Sequence, residues 1–210
     1  MEDSTNVSFG YSPYPDEIYM FYGLLENTVD KRDFNFDFVK ADIEILNEHS
    51  LDGELDVTSI SFPAYPLLSD HFELLMSGGR FGDKEGPVLI GREQLSRDEV
   101  RSETVAIPGE LTTATLLLKL YAGHDIDVEP VPHDLIPEQV EEGNFTAGVV
   151  VDDTILNIGD VNVTSVLNFG EWWYEKHQLP LPLGGCAVRK DLPFGSTIGT
   201  IIEESVQYAL

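Results

Sequence analysis

Short apolar runs rich in β-branched and aromatic residues alternate, along almost the whole chain, with stretches whose apolar residues recur at helical spacing. That alternation predicts an α/β fold. Residues 6–11 read as a strand, followed by Ser12-Pro13-Tyr14-Pro15-Asp16-Glu17 and a helix with Ile18, Phe21, Tyr22 and Leu25 on one face. Residues 34–39 and 55–61 read as strands around a helix over 41–51. Pro63 then sits where the first turn of a helix tolerates proline. Further strands are predicted over 72–76 and 88–91. A second α/β run follows, with strands over 104–107, 126–131, 147–151 and 161–167. Its helices open at Pro108-Gly109-Glu110-Leu111-Thr112-Thr113 and lie over 134–142 and 171–177. Residues 180–185 read as a rigid turn and 186–189 as a returning strand. The last helix places Ile198, Ile201, Ile202, Ser205 and Ala209 on one face. The order suits two α/β lobes, residues 1–91 plus 186–210 and residues 92–185, with a cleft between them.

Charge narrows the possible partners. Across 210 residues, 38 Asp and Glu face 12 Lys and Arg, a formal charge of −26. Such a surface repels phosphate backbones and anionic lipid, so nucleic acid and membrane surfaces are excluded as partners. The carboxylates are spread over the whole sequence, which predicts a surface adapted to high salt, where screening removes self-repulsion. The N-terminus, Met1-Glu2-Asp3-Ser4, is acidic and lacks a basic and an apolar region, so no export signal is expected. No apolar run approaches the roughly 20 residues that cross a bilayer. The expectation is a soluble, cytoplasmic protein. The single cysteine, Cys186, leaves no intrachain disulfide and no Cys-rich metal site. His49, His71, His124, His133 and His177 stand at no metal-ligand spacing, so no metal is expected.

In open α/β sheets, ligands bind beyond the C-terminal ends of the strands. Four such ends stand out: Ser12-Pro13-Tyr14-Pro15, Thr58-Ser59-Ile60-Ser61, Gly109 to Thr113, and Asp152-Asp153. The first three lead into helices, whose N-terminal N–H groups suit carboxylates and phosphates. Ser61, Thr112 and Thr113 carry hydroxyls that can either cap a helix or bond a ligand. The set points to a small anionic or polyhydroxylated ligand. Asp152-Asp153, after a buried strand, could hold a general base or simply form a solvated turn. No P-loop and no Gly-x-Ser-x-Gly elbow is present. Trp172, Trp173 and Tyr174 read as core or as cleft wall.

These motifs resemble a known family. Ser12-Pro13-Tyr14-Pro15-Asp16-Glu17 is similar to its Ser-Pro-Cys-Pro-Asn-Asp segment. Thr58 to Phe62 with Ala64-Tyr65, Ser77-Gly78-Gly79, Val105 to Gly109 with Thr112-Thr113-Ala114, and the 179–184 segment match it in order and spacing. The family is 1,4-dihydroxy-6-naphthoate synthase of the futalosine route to menaquinone, and the likeness runs from about Ser8 to Leu210. It implies a two-lobed periplasmic-binding-protein-like (type II) fold with a central cleft. It also implies a carbon–carbon lyase that converts cyclic dehypoxanthinylfutalosine to 1,4-dihydroxy-6-naphthoate and dihydroxyacetone, with no cofactor. The family's substrate-binding segments match Ser59, Ile60 and Ser61, and Thr112 and Thr113. Its catalytic proton acceptor is a histidine, and the matching residue here is Asp152. A carboxylate, with an ordinary pKa of about 4, is a weaker base than imidazole at about 6.5. Asp16-Glu17 stands where the family has Asn-Asp, which predicts repulsion of an anionic ligand by Asp16. The family continues for several helices past the position of Leu210, so the first lobe is expected to be incomplete there. A non-catalytic binding protein for an anionic small molecule, and a chorismate dehydratase-like enzyme, are the competing functions.

Overall fold

The structure, a computed structural model, describes residues 4–151 and 161–210. In chain order its elements are β1 (Thr5–Tyr11), α1 (Pro15–Leu25), β2 (Phe34–Lys40), α2 (Ile43–Leu51), β3 (Val57–Ser61), α3 (Tyr65–Leu68), β4 (Phe72–Leu74) and β5 (Arg80–Gly82). There follow β6 (Val88–Gly91), α4 (Arg97–Arg101), β7 (Val105–Ile107), α5 (Thr113–Ala122), β8 (Val128–Pro130), α6 (Ile136–Glu141) and β9 (Ala147–Val150). The last are β10 (Thr164–Asn168), α7 (Phe169–His177), β11 (Leu181–Arg189) and α8 (Gly195–Ala209). The chain divides into two units, Met1–Arg80 with Gly184–Leu210, and Phe81–Leu183.

In the first unit the strand order is β2-β1-β3-β11-β4. β1 runs parallel to β2 along its whole length and parallel to β3, while β11 is antiparallel to β3 and β4. Helices cover both faces of the parallel part, so every residue of β3 is buried. The core joins Val7, Phe9, Phe36, Val57, Cys186 and Val188 of the sheet to Phe21 and Leu24 of α1 and Ile198, Ile201 and Ile202 of α8. Phe9 and Phe21 meet edge to face at 4.9 Å. Gly23 lets α8 approach, because a Cβ there would lie 3.2 Å from Ser205 Oγ. That hydroxyl accepts the Leu24 N–H and donates to the Met20 carbonyl. The buried arc of α1 therefore comprises Glu17, Phe21, Gly23 and Leu24. Tyr22, expected on the apolar face, is 47% exposed and stacks on Tyr208. The helix has two neighbours, the sheet and α8, and their joint contact rotates the buried arc away from Ile18 and Tyr22.

The second unit carries a sheet in the order β10-β6-β9-β7-β8. Residues alternate between its faces, as strand geometry requires. Leu89, Val105, Ile107, Ala147 and Val149 join one core with Leu117 and Leu118 of α5 and Phe169 of α7. Val88, Ile90, Ala106 and Val150 join the other with Ile136 and Val140 of α6. Trp172 and Trp173 pack against the first of these cores.

Two expectations about organisation change. Residues 81–91 fall in the second unit, because β6 pairs with β9 and β10 in its sheet. The 180–185 segment is not a turn: from Leu181 it is strand β11, with Gly184 and Gly185 paired to Ser61 and Ile60. Pro182 precedes the residues paired with β3, where its missing N–H forfeits no bond to that strand. β5 was not legible in the sequence. No described helix is long and apolar enough to cross a membrane.

Candidate functional site

Because β1 and β3 are parallel neighbours with Gly10 opposite Thr58, the residues just beyond β1 and those ending β3 share one edge of the first sheet. The β3 residues Ser59, Ile60 and Ser61 are 3%, 0% and 3% exposed. Ser59 and Ser61 project to one face and Ile60 to the other. The Ser61 N–H donates to Oδ1 of the buried Asn47 on α2, at 3.0 Å. Ser61 also begins a short 3-10 turn, Phe62–Ala64, without its side chain capping that turn. The hydroxyls of Ser59 and Ser61 enter no hydrogen bond among the described residues, unlike that of Thr58, which donates to the Ser59 carbonyl.

At the same edge, Pro15 sets the first turn of α1 after an extended Tyr14. Tyr14 is 5% exposed, so its ring belongs to the interior of this unit. Glu17 is fully buried, and its Oε2 accepts the Ser12 N–H at 2.6 Å. The guanidinium of Arg80 neutralises this carboxylate, with Nη1 3.3 Å from Glu17 Oε1 and 3.4 Å from Asp16 Oδ2. The negative charge expected to repel an anion at Asp16 is thus paired. Gly184, opposite Ser61, is required here: a Cβ would lie 2.6 Å from the Ile60 carbonyl and 2.7 Å from Arg80 Nη2. Gly78, in the Ser77-Gly78-Gly79 motif, has φ +82°, and a Cβ there would stand 2.9 Å from Cys186 Cβ. Burial, with a contribution from the Glu17 charge, pushes the Cys186 thiol up, so it is no nucleophile.

In the second unit, Thr112 is the N-cap of α5 and Thr113 its first residue. The Thr112 hydroxyl accepts the Thr115 N–H at 3.2 Å and donates to the Gly109 carbonyl at 2.8 Å. Thr115 Oγ1 also donates to Gly109 O, at 2.6 Å. Thr113 Oγ1 donates to the Leu183 carbonyl at 2.5 Å. Both hydroxyls predicted to meet a ligand therefore have partners within the unit, and Thr112 acts as a helix cap. What remains for a ligand is the backbone at the start of α5 and the spare lone pairs of these oxygens.

Asp152 and Asp153 lie outside the described residues. Among the described residues, no three His, Cys, Asp or Glu side chains converge as a metal site would require. The sequence reading singled out the Ser12 segment but missed Arg80 and Asn47. The Gly78-Gly79 pair before Arg80 was the one signal that backbone comes close at that point.

Comparison with known proteins places this geometry. The sequence pattern of a family described as menaquinone biosynthesis matches residues 7–210. The chain is 36% identical over 206 residues to the 1,4-dihydroxy-6-naphthoate synthase of Thermus thermophilus, covering 97% of this chain and 74% of that one. It is 30% identical over 211 residues to the protein of the same name from Streptomyces coelicolor, covering 97% and 73%. A solved structure from Archaeoglobus fulgidus superposes with a TM-score of 0.88 at 33% identity, over 97% of this chain and 76% of that one. The periplasmic aliphatic sulphonate-binding protein of Escherichia coli shares the fold, with a TM-score of 0.68 at 13% identity over 98% and 72%. The chain belongs to the menaquinone biosynthesis family, on the fold of the periplasmic binding proteins.

Proposed function

We propose that the chain is a 1,4-dihydroxy-6-naphthoate synthase, a carbon–carbon lyase acting on cyclic dehypoxanthinylfutalosine and releasing dihydroxyacetone. The observation that carries this reading is the 36% identity to a protein of that name across 97% of the chain. Substrate binding is assigned to Ser59, Ile60 and Ser61 in the first unit and to Thr112 and Thr113 in the second. The buried end of β3, with two hydroxyls that no described residue claims, supports the first assignment. The threonines contribute through the α5 N-terminus that Thr112 caps, a site suited to a carboxylate. Asp152 is assigned the role of proton acceptor in the position of the family's histidine, and no cofactor is invoked.

The test is release of 1,4-dihydroxy-6-naphthoate from the cyclic substrate by the wild type, Asp152→Asn and Asp152→His, in high salt. Asp152→Asn keeps size and loses the base, so turnover should vanish while substrate binding persists. Asp152→His should raise turnover near neutral pH, because imidazole titrates close to that pH. Turnover that survives Asp152→Asn would remove Asp152 from the chemistry. Binding without turnover by the wild type would make the chain a non-catalytic binder.

A further inference from the structure

We infer that Asn47 is the positioning residue for Ser61, holding the end of β3 in the conformation that offers the Ser61 hydroxyl to the ligand; this rests on the assignment of Ser61 to substrate binding. The need for such a residue arises in the first sheet. β1 pairs with β3 only at Phe9–Val57 and Gly10–Thr58, and the chain then leaves through Ser12 and Pro13. On the other side, β11 stays paired as far as Ser61, which lies opposite Gly184. In an antiparallel ladder, successive residues turn their backbone groups alternately toward the partner and away from it. The Ser61 N–H is one of those turned away, toward the side that β1 has left. Among the described residues no strand pairs with Ser61 on that side, and a buried N–H must find an acceptor elsewhere.

Asn47 supplies it. The side chain is fully buried on α2, and its Oδ1 accepts the Ser61 N–H at 3.0 Å. The amide oxygen is the atom that must face Ser61, because the nitrogen can only donate; that nitrogen lies 3.5 Å from Glu44 Oε2. α2 lies this close to the sheet because residue 10 is glycine: a Cβ there would stand 2.8 Å from Leu46 Cδ2, on the residue before Asn47. A side chain thus stands in for a strand, and the Ser61 backbone is held from both sides. Its hydroxyl is left over. A serine ahead of a helical turn ordinarily caps it, yet Ser61 does not cap the 62–64 turn, and no described residue claims the oxygen. A polar group with a fixed backbone and an unspent hydroxyl meets a ligand with little left to order.

The experiment is a double-mutant cycle on release of 1,4-dihydroxy-6-naphthoate from the cyclic substrate, in molar KCl, with wild type, Asn47→Leu, Ser61→Ala and the double variant. Leucine matches asparagine in shape, so Asn47→Leu removes the acceptor without opening a cavity. It should raise KM about tenfold and leave kcat within about twofold, because Ser61 is assigned to binding and not to proton transfer. A purely structural residue would lower the active fraction, and kcat with it, at unchanged KM. In the Ser61→Ala background, Asn47→Leu should add less than about twofold to KM, because no hydroxyl remains to be positioned. An unchanged KM, or effects of the two substitutions that simply multiply, would overturn the assignment. If Asn47→Leu does not fold, Asn47→Ala takes its place with the same expectations; loss of folding in both would also overturn it, since Asn47 would then serve the fold and not the site. Absence of turnover by the wild type would overturn the function reading instead. The same cycle read as the Kd for 1,4-dihydroxy-6-naphthoate by calorimetry then decides on Asn47 separately, and a wild type that does not bind the naphthoate would take this proposal down as well.

Discussion

Replacing Thr112 by valine separates a helix cap from a ligand contact. The substitution keeps the branched shape and removes one oxygen. In the structure that oxygen is 3% exposed at the residue level and holds the Thr115 N–H at 3.2 Å. Losing such a cap costs about 0.5–2 kcal/mol. Leaving the buried N–H unmet belongs in the range of about 1–3 kcal/mol, and the two figures describe largely the same loss. The Gly109 carbonyl keeps the Thr115 hydroxyl at 2.6 Å, so its side of the network adds little. The sum is about 2 kcal/mol for Thr112→Val. Thr112→Ser, which keeps the oxygen, should stay within about 0.5 kcal/mol of wild type. Both tryptophans of the chain, Trp172 and Trp173, lie in the second unit, so their fluorescence reports the unit that contains α5. With a urea dependence of about 1.5 kcal/mol per molar, the midpoint of Thr112→Val should fall by roughly 1.3 M. An unchanged midpoint, or an equal loss in Thr112→Ser, would refute the capping argument and return the hydroxyl to the ligand.

Other consequences are simpler to read. With a net charge of −26, the thermal unfolding midpoint should rise as KCl goes from dilute to molar, and a flat or falling midpoint would count against a salt-adapted surface. The Ser96 hydroxyl and N–H, both 2.7 Å from Glu99 Oε2, hold the Glu99 carboxyl below its ordinary range. Since the folded value is depressed, this capping box stabilises the start of α4 fully above the ordinary carboxylate range and loses that effect as pH falls through the folded value. A carboxyl NMR titration should find Glu99 low in wild type and returned toward the ordinary value in Ser96→Ala; no difference between the two would remove the capping box as the cause.

Much of the fold is legible in local pattern. The β1-α1-β2-α2-β3 run follows from period-2 and helical spacings read within windows of a few residues. The buried face of α8, with Ile198, Ile201, Ile202 and Ser205, emerges at the spacing the sequence shows. The motifs also led to Ser59, Ile60 and Ser61 and to Thr112 and Thr113 as a candidate site, since hydroxyls at strand ends before helices carry a recognisable order. Other features were hidden because their partners are distant in sequence. Nothing near Arg80 names Asp16, 64 residues earlier, or Gly184 as its neighbours. Thr112 and Thr113 looked like free donors because the Leu183 carbonyl that takes one of them lies 70 residues away.

Residue order alone carries the alternation of strand and helix, the excess of carboxylates, the lack of a cysteine framework, and the motif order that marks the family. Each depends on residue type and short-range spacing, which the chain carries whether folded or not. Folding in three dimensions was needed to show that β6 belongs to the second sheet, that Pro182 to Gly185 extend a strand instead of turning, and that Tyr22 faces outward. It also decided that a buried Glu17 is matched by Arg80. A strand is completed by hydrogen bonds to another strand, and a buried charge is made tolerable by an opposite one. Both partners come from parts of the chain that only folding brings together.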